Sequence, residues 1–275
     1  MLRAAGANPL VMTGDEDWVV SADWLAGRLD DDGVVVVDVR DAWEYDGIGH
    51  VPGAVNVPFD SFRSEGGPEG MMPAREGWAA VLSEAGVGAG DTVVAYDDTH
   101  GVFAARFLVT ALYYGHDDVR LLDGDYSAWI RDHESDGETP DVAPTDYEAG
   151  EPDGDVFVGA DAVAAAAADD EEDSVVVDTR EPREFAEGHI PGAVNVDWKA
   201  LVDDDTRGLE PRGAVEEALA ARGVTRGKRV VLYCNTARRI SHTFVVLGWL
   251  GFPDVAFYEG SLTEWAAEGR PVESA

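Results

Sequence analysis

Cysteine occurs once in this chain, at Cys234, and lysine only twice, at Lys199 and Lys228. A single thiol excludes an intramolecular disulfide, so compartment cannot be argued from bridges. Basic residues are few altogether: 20 against 55 acidic ones, arginine supplying the other 18, for a formal net charge of −35. Nucleic acid and anionic membrane are poor partners for such a surface, and neither is expected. No apolar stretch approaches the roughly 20 residues of a membrane span. The segment Met1–Pro9 has no sustained apolar run, so a targeting segment is not indicated. A soluble, cytoplasmic protein is the expectation. No Cys/His cluster has ligand spacing, so no metal is expected. A nucleotide-type glycine-rich loop is also missing, and no cofactor is called for.

Acidic excess of this size often accompanies disorder, but 45% of the residues are hydrophobic and fall in regular runs. That combination points to a folded core under a carboxylate-rich surface, as in proteins adapted to high salt, where screening removes the self-repulsion. A specialised acidic interaction surface is the rival reading.

What is present is one unit written twice. Val35-Val36-Val37-Asp38-Val39-Arg40 matches Val175-Val176-Val177-Asp178-Thr179-Arg180. Gly49-His50-Val51-Pro52-Gly53-Ala54 matches Gly188-His189-Ile190-Pro191-Gly192-Ala193, and Asp123-Gly124 before Trp129 matches Glu259-Gly260 before Trp265. Order and spacing hold throughout, which indicates a duplication. Residues 133–155, rich in Asp, Glu, Gly and Pro, separate the copies as an acidic linker. The expected domains are therefore 1–132 and 156–275. Val-rich runs alternate with helical periods in each, so each should be an α/β domain, a small parallel sheet with helices on both faces.

In the second copy the run Val230-Val231-Leu232-Tyr233 ends at Cys234, and the helical period begins soon after. The first copy has Asp97 at that place. Ligands of open parallel sheets bind outside the carboxyl ends of the strands, which is where both residues fall. A helix N-terminus and nearby arginines favour thiolate, so Cys234 reads as a nucleophile rather than a small buried hydrophobe. The segment Cys234–Arg239 can curl into a nest of inward N–H groups that holds an anion, with Asn235, Thr236 and Ala237 in the turn. Arg239 can return to this pocket as a fixed cation, and Arg238 is the alternative. Arg180 should lie at the same sheet edge and face the anion, whereas Arg40 reads as half of a buried ion pair. His50 and His189 occur in both copies while the thiol occurs in one, which argues for a structural role.

Together these pieces resemble the rhodanese superfamily, specifically tandem-domain sulfurtransferases acting on thiosulfate or 3-mercaptopyruvate. The resemblance covers nearly the whole chain and includes a first domain with Asp in the cysteine position. It implies two tandem rhodanese-like domains, a catalytic second domain with its site at the interdomain cleft, and a persulfide on Cys234. A small anionic donor would supply the sulfur, and cyanide, a thiol or a protein acceptor would take it. Thiosulfate-type members tend to have Arg-Lys after the cysteine and mercaptopyruvate-type ones Gly-Ser-Gly; here Asn235-Thr236-Ala237 is neither. Tandem members often carry another arginine where this chain has Glu184. Two guanidinium groups in the loop tip the donor toward thiosulfate.

Two rivals remain. A cysteine phosphatase or arsenate reductase resembles Cys-x5-Arg, but Ile240 stands at that place and Arg239 gives Cys-x4-Arg. A persulfide carrier or docking protein for tRNA or cofactor thiolation would share Cys234 and lack turnover with free thiosulfate.

Overall fold

The computed structural model describes residues 18–64, 71–151, 156–168 and 173–274. The reading of Met1–Pro9 and the end of the linker, 152–155, lie outside these residues. Two compact units emerge. One comprises Trp18–Pro152 with Val202–Leu209, and the other Asp153–Leu201 with Glu210–Ala275.

The first unit contains β1 (Val19–Val20), α1 (Ala22–Ala26), β2 (Val34–Asp38), α2 (Ala42–Ile48), β3 (Val55–Asn56), α3 (Arg75–Glu84), β4 (Thr92–Tyr96), α4 (Val102–Tyr113), β5 (Val119–Leu122) and α5 (Tyr126–Trp129). Its five strands are all parallel, in the order β1-β5-β4-β2-β3. Alternation sorts the strand residues between two buried faces. Val36, Val94 and Tyr96 pack with Leu25 of α1 and with Tyr126 and Trp129 of α5. Val93 and Ala95 point the other way, toward the face that α4 covers. There Phe62, Trp78 and Phe107 meet edge to face.

The second unit repeats the pattern with α6 (Ala160–Ala167), β6 (Ser174–Asp178), α7 (Pro182–Glu187), β7 (Val194–Asn195), α8 (Arg212–Ala220), β8 (Arg229–Tyr233), α9 (Arg238–Trp249), β9 (Val255–Phe257) and α10 (Ser261–Ala267). Its four parallel strands run β7-β6-β8-β9. A single bridge from Phe157 to Phe257 stands where the first unit has its edge strand β1. Val176, Val231 and Tyr233 pack with Val163 and Trp265 on one face. On the other, Phe244 of α9 meets Phe257 edge to face at 5.6 Å. Burying such an aromatic ring contributes about 2–3 kcal/mol. Gly251, at φ 77, follows the last turn of α9, and Gly115, at φ 81, follows that of α4. Both are left-handed helix caps, where a Cβ would be strained.

Register sets the site. Asp178 lies abreast of Tyr233 at the carboxyl ends of β6 and β8, as Asp38 lies abreast of Tyr96. The next residues along the central strands are Cys234 and Asp97.

Two segments depart from simple expectation. Residues 133–151 form neither helix nor strand, yet they are tied to the first unit rather than hanging free. His50 and Asp136 exchange backbone hydrogen bonds at 2.8 Å, Gly150 N–H donates to Tyr114 at 2.7 Å, and Tyr147 is buried. The acidic excursion Val202–Leu209, from within the second repeat, groups with the first unit. Leu209 N–H donates to Asp123 Oδ1 at 2.8 Å, and Arg207 Nε donates to both carboxylate oxygens of Asp125 at 2.7 and 2.9 Å.

Candidate active site

Cys234 follows β8 directly and is 1% exposed. Its backbone is clamped from both sides: its N–H donates to Ser261 Oγ at 3.1 Å, and its carbonyl accepts from Leu262 N–H at 2.9 Å. The Ser261 hydroxyl in turn donates to the Tyr258 carbonyl at 3.0 Å. The chain then turns through Asn235 and Thr236 to Ala237, which has φ 64, and α9 begins at Arg238. A left-handed alanine is costly, about 1–2 kcal/mol, and such strain collects where surrounding structure demands a shape. Ser261 is also left-handed, at φ 51, so strained non-glycine backbone lies on both sides of Cys234. Ser241 Oγ donates to the Ala237 carbonyl at 2.8 Å and helps hold the turn.

Arg180 is committed before any ligand arrives. Its Nε reaches both Asp178 oxygens at 2.9 and 3.1 Å, and Nη2 donates to Asp178 at 2.6 Å and to the Gly188 carbonyl at 2.6 Å. Burial opposes its charge, but Asp178 raises the guanidinium above its ordinary value on balance. Only Nη1 turns toward the cysteine loop, donating to Asn235 Oδ1 at 3.4 Å. Arg40 makes the same pair with Asp38 and the same bond to the Gly49 carbonyl. Arg180 thus repeats the pairing of Arg40, and its hydrogen bond to the cysteine loop is the one to Asn235.

The histidines are equally structural. His189 Nδ1 lies 2.9 Å from the Phe185 carbonyl, and its ring stacks on Phe185 at 3.8 Å. His50 repeats both contacts with Tyr45. Tyr233 OH accepts from Ile190 N–H at 3.0 Å, as Tyr96 OH does from Val51 N–H. Burial, with Asp178 close by, pushes the Tyr233 hydroxyl far above its ordinary value, so it stays protonated.

Of the two loop arginines, Arg238 is exposed at the first position of α9, while Arg239 is half-buried. Successive helical residues point about 100° apart, so only one can face inward. Arg239 meets Glu184 of α7: Nη1 and Nη2 each donate to a carboxylate oxygen, the latter at 2.9 Å. Asn235 Nδ2 donates to Glu184 Oε1 at 3.0 Å. Arg239 holds the Glu184 carboxyl below its ordinary value, chiefly through these hydrogen bonds. Burial opposes the Arg239 charge, yet Glu184 and the Cys234 sulfur raise the guanidinium overall. Thr236 is half-buried and Ala237 buried. The structure therefore gathers Cys234, Asn235, Ala237, Arg239 and, through Asn235, Arg180, and leaves Arg238 in solvent. Sequence reasoning noticed Glu184 only as a missing arginine. The Glu181-x-x-Glu184 capping box marked it as a helix-start residue, and its reach to Arg239 depends on where α7 packs.

The first unit shows what the corresponding loop, one residue longer between strand and helix, does with an anion. The buried Asp97 carboxylate accepts N–H bonds from Thr99 and Gly101 at 2.8 Å, Phe103 at 2.7 Å and Ala104 at 3.1 Å. Burial raises the Asp97 carboxyl above its ordinary value, against the pull of those four donors. The helix after it also starts from a left-handed residue, Gly101 at φ 81.

Among the described residues no group of three or more His, Cys, Asp or Glu is arranged to hold a metal ion. No described helix is long and apolar enough to cross a membrane.

The family model of the rhodanese-like domain matches the chain twice, at residues 21–132 and 160–268. A thiosulfate sulfurtransferase of Pseudomonas aeruginosa is 34% identical over 273 residues, covering 93% of this chain and 96% of the relative. The sulfur carrier protein TtuD of Thermus thermophilus is 33% identical over 269 residues, covering 90% and 93%. Among solved structures, the 3-mercaptopyruvate sulfotransferase SseA from Escherichia coli superposes with a TM-score of 0.79 at 26% identity, covering 89% of this chain and 98% of its own.

Proposed function

The chain belongs to the rhodanese-like family, and on that premise we propose that it is a sulfurtransferase that carries sulfane sulfur on Cys234. The observation that carries this reading is the contrast between paired loops. In one, four N–H groups hold a carboxylate; in the other, a thiol occupies the same strand end. A loop of this shape suits a cysteine that alternates between thiolate and persulfide, both anionic.

In the first half-reaction the Cys234 thiolate attacks the outer sulfur of thiosulfate. A new S–S bond forms, the S–S bond of the donor breaks, and its electron pair leaves with sulfite. In the second, cyanide or an acceptor thiolate attacks the terminal persulfide sulfur. The enzyme S–S bond breaks and the pair returns to Cys234 as thiolate. Arg239, within electrostatic reach of the sulfur, is the cation suited to the oxyanion of donor or leaving group. Asn235 shares the Glu184 carboxylate with Arg239, and Arg180 with Asp178 braces the loop.

Thiosulfate as donor draws its support from the name of the Pseudomonas aeruginosa relative, and 3-mercaptopyruvate from SseA. The Thermus thermophilus relative's name supports a carrier role, in which a protein partner delivers or removes the sulfur. Incubating the purified protein with thiosulfate in molar salt should add one sulfur mass to the peptide containing Cys234. No added mass with thiosulfate or mercaptopyruvate would overturn donor-driven turnover and favour the carrier.

A further inference from the structure

Three cations around the cysteine loop and α7 already have a carboxylate. Arg180 is paired with Asp178, Arg239 with Glu184, and the exposed Lys199 with Glu181. The Arg239 pair differs from the Arg180 pair in one respect that matters for binding. Asp178 is fully buried and cannot yield, whereas the Glu184 side chain is 30% exposed and that of Arg239 22%. Glu184 sits on α7, a short helix with its own capping box, and reaches the cysteine loop only through its carboxylate. It can therefore swing toward solvent without disturbing a strand.

We propose that Glu184 is a specificity-determining residue, an internal carboxylate that occupies Arg239 in the resting site and that an anionic sulfur donor must displace. The inference rests on the sulfur-transfer reading above. Any donor that engages Arg239 competes with Glu184 and also feels its negative charge. That repulsion scales with the donor's charge, so the thiosulfate dianion is penalised more than the singly charged carboxylate of 3-mercaptopyruvate. Glu184 thereby narrows the preference for thiosulfate that a free arginine would create. Partly exposed pairs of this kind are worth up to about 1 kcal/mol, or roughly fivefold in affinity.

The capping box supplies the competing account, in which Glu184 merely starts α7. Glu184→Gln separates the two, because glutamine serves the capping box equally well but carries no charge. Calorimetry with thiosulfate on Cys234→Ser protein reads binding without turnover. Adding Glu184→Gln should tighten it by about fivefold. In the active protein the same change should lower KM for thiosulfate by a similar factor, leave kcat nearly unchanged, and move KM for 3-mercaptopyruvate less. In an Arg239→Gln background the Glu184→Gln gain should shrink, because the competition is gone and only the charge repulsion remains. Unchanged or weaker thiosulfate binding in the Gln variant, or an equal gain without Arg239, overturns the assignment. A failure of sulfur transfer itself appears separately, as wild-type protein that gains no sulfur mass.

Discussion

The loops after β4 and β8 are two solutions to one problem, an anion at the end of a buried strand. After β4 the anion is built in: Asp97 fills the nest, and Arg207 from the excursion 202–209 pairs with the neighbouring Asp98 and Asp125. After β8 a thiol stands at the strand end, and Arg239 is paired with Glu184, whose side chain is 30% exposed. The first loop thus holds its own anion, and the second is the one proposed to exchange its occupant. The αL residue before the following helix differs in the same sense. Gly101 adopts it without strain, while Ala237 adopts it under strain. Each loop nonetheless holds one left-handed non-glycine residue, His100 at φ 54 in the first and Ala237 at φ 64 in the second.

The contrast can be broken most decisively at the thiol. Cys234→Ser should lower sulfur transfer to cyanide by at least about a thousandfold, because the residual hydroxyl is a poor nucleophile for sulfur. Its circular dichroism should match wild type; retained turnover would place the chemistry elsewhere. The next largest effect lies in the other loop. Asp97→Ala strands four N–H groups in a buried site and should cost about 2–4 kcal/mol, seen as a lower urea midpoint. An unchanged midpoint would show that the carboxylate is tolerated there rather than used.

Two smaller effects sharpen the comparison. Ala237→Gly places in the Cys234 loop the residue that precedes α4 in the first unit. It should stabilise the fold by about 1 kcal/mol through relief of the left-handed alanine. If Ala237 constrains the site, the variant should also lose turnover; a stabilised protein with full activity would mean the strain has no role. The smallest effect is in acid. Since Arg239 holds the Glu184 carboxyl below its ordinary value, the pair contributes fully above the unfolded value of about 4.3 and is lost as pH falls through the lower folded value. The acid limb of the stability curve should therefore be shallower in Glu184→Gln by less than about 1 kcal/mol, with no difference in its slope near pH 7. Equal acid limbs would mean the pair is not formed in solution.

The reach of sequence reasoning can be traced residue by residue. The strand ending at Cys234 was legible because four apolar residues in a row, Val230 to Tyr233, fit a strand covered on both faces. The equivalent settings of His50 and His189 were legible because a duplicated chain supplies its own control. Choosing Arg239 over Arg238 was not legible, since the phase of α9 depends on where the αL turn at Ala237 releases the helix. Arg180 was expected to face an anion, and it reaches the loop only through Asn235 because Asp178 and Gly188 hold the rest of its guanidinium. The excursion 202–209 fell inside the domain expected over 156–275. Its grouping with the first unit depends on contacts that no local pattern encodes.

Sequence alone determined the duplication, the parallel α/β class and the asymmetry of one thiol against one carboxylate. These rest on composition and on periodic burial, which are written along the chain. Tertiary structure decided which loop arginine is half-buried, that Glu184 pairs with it, and that Asp97 already satisfies its own nest. Those depend on side chains 51 to 55 positions apart meeting across elements, as in Asn235–Glu184 and Arg239–Glu184, and on short turns whose N–H groups converge. Directional contacts of that kind arise only once packing has set the position of every element.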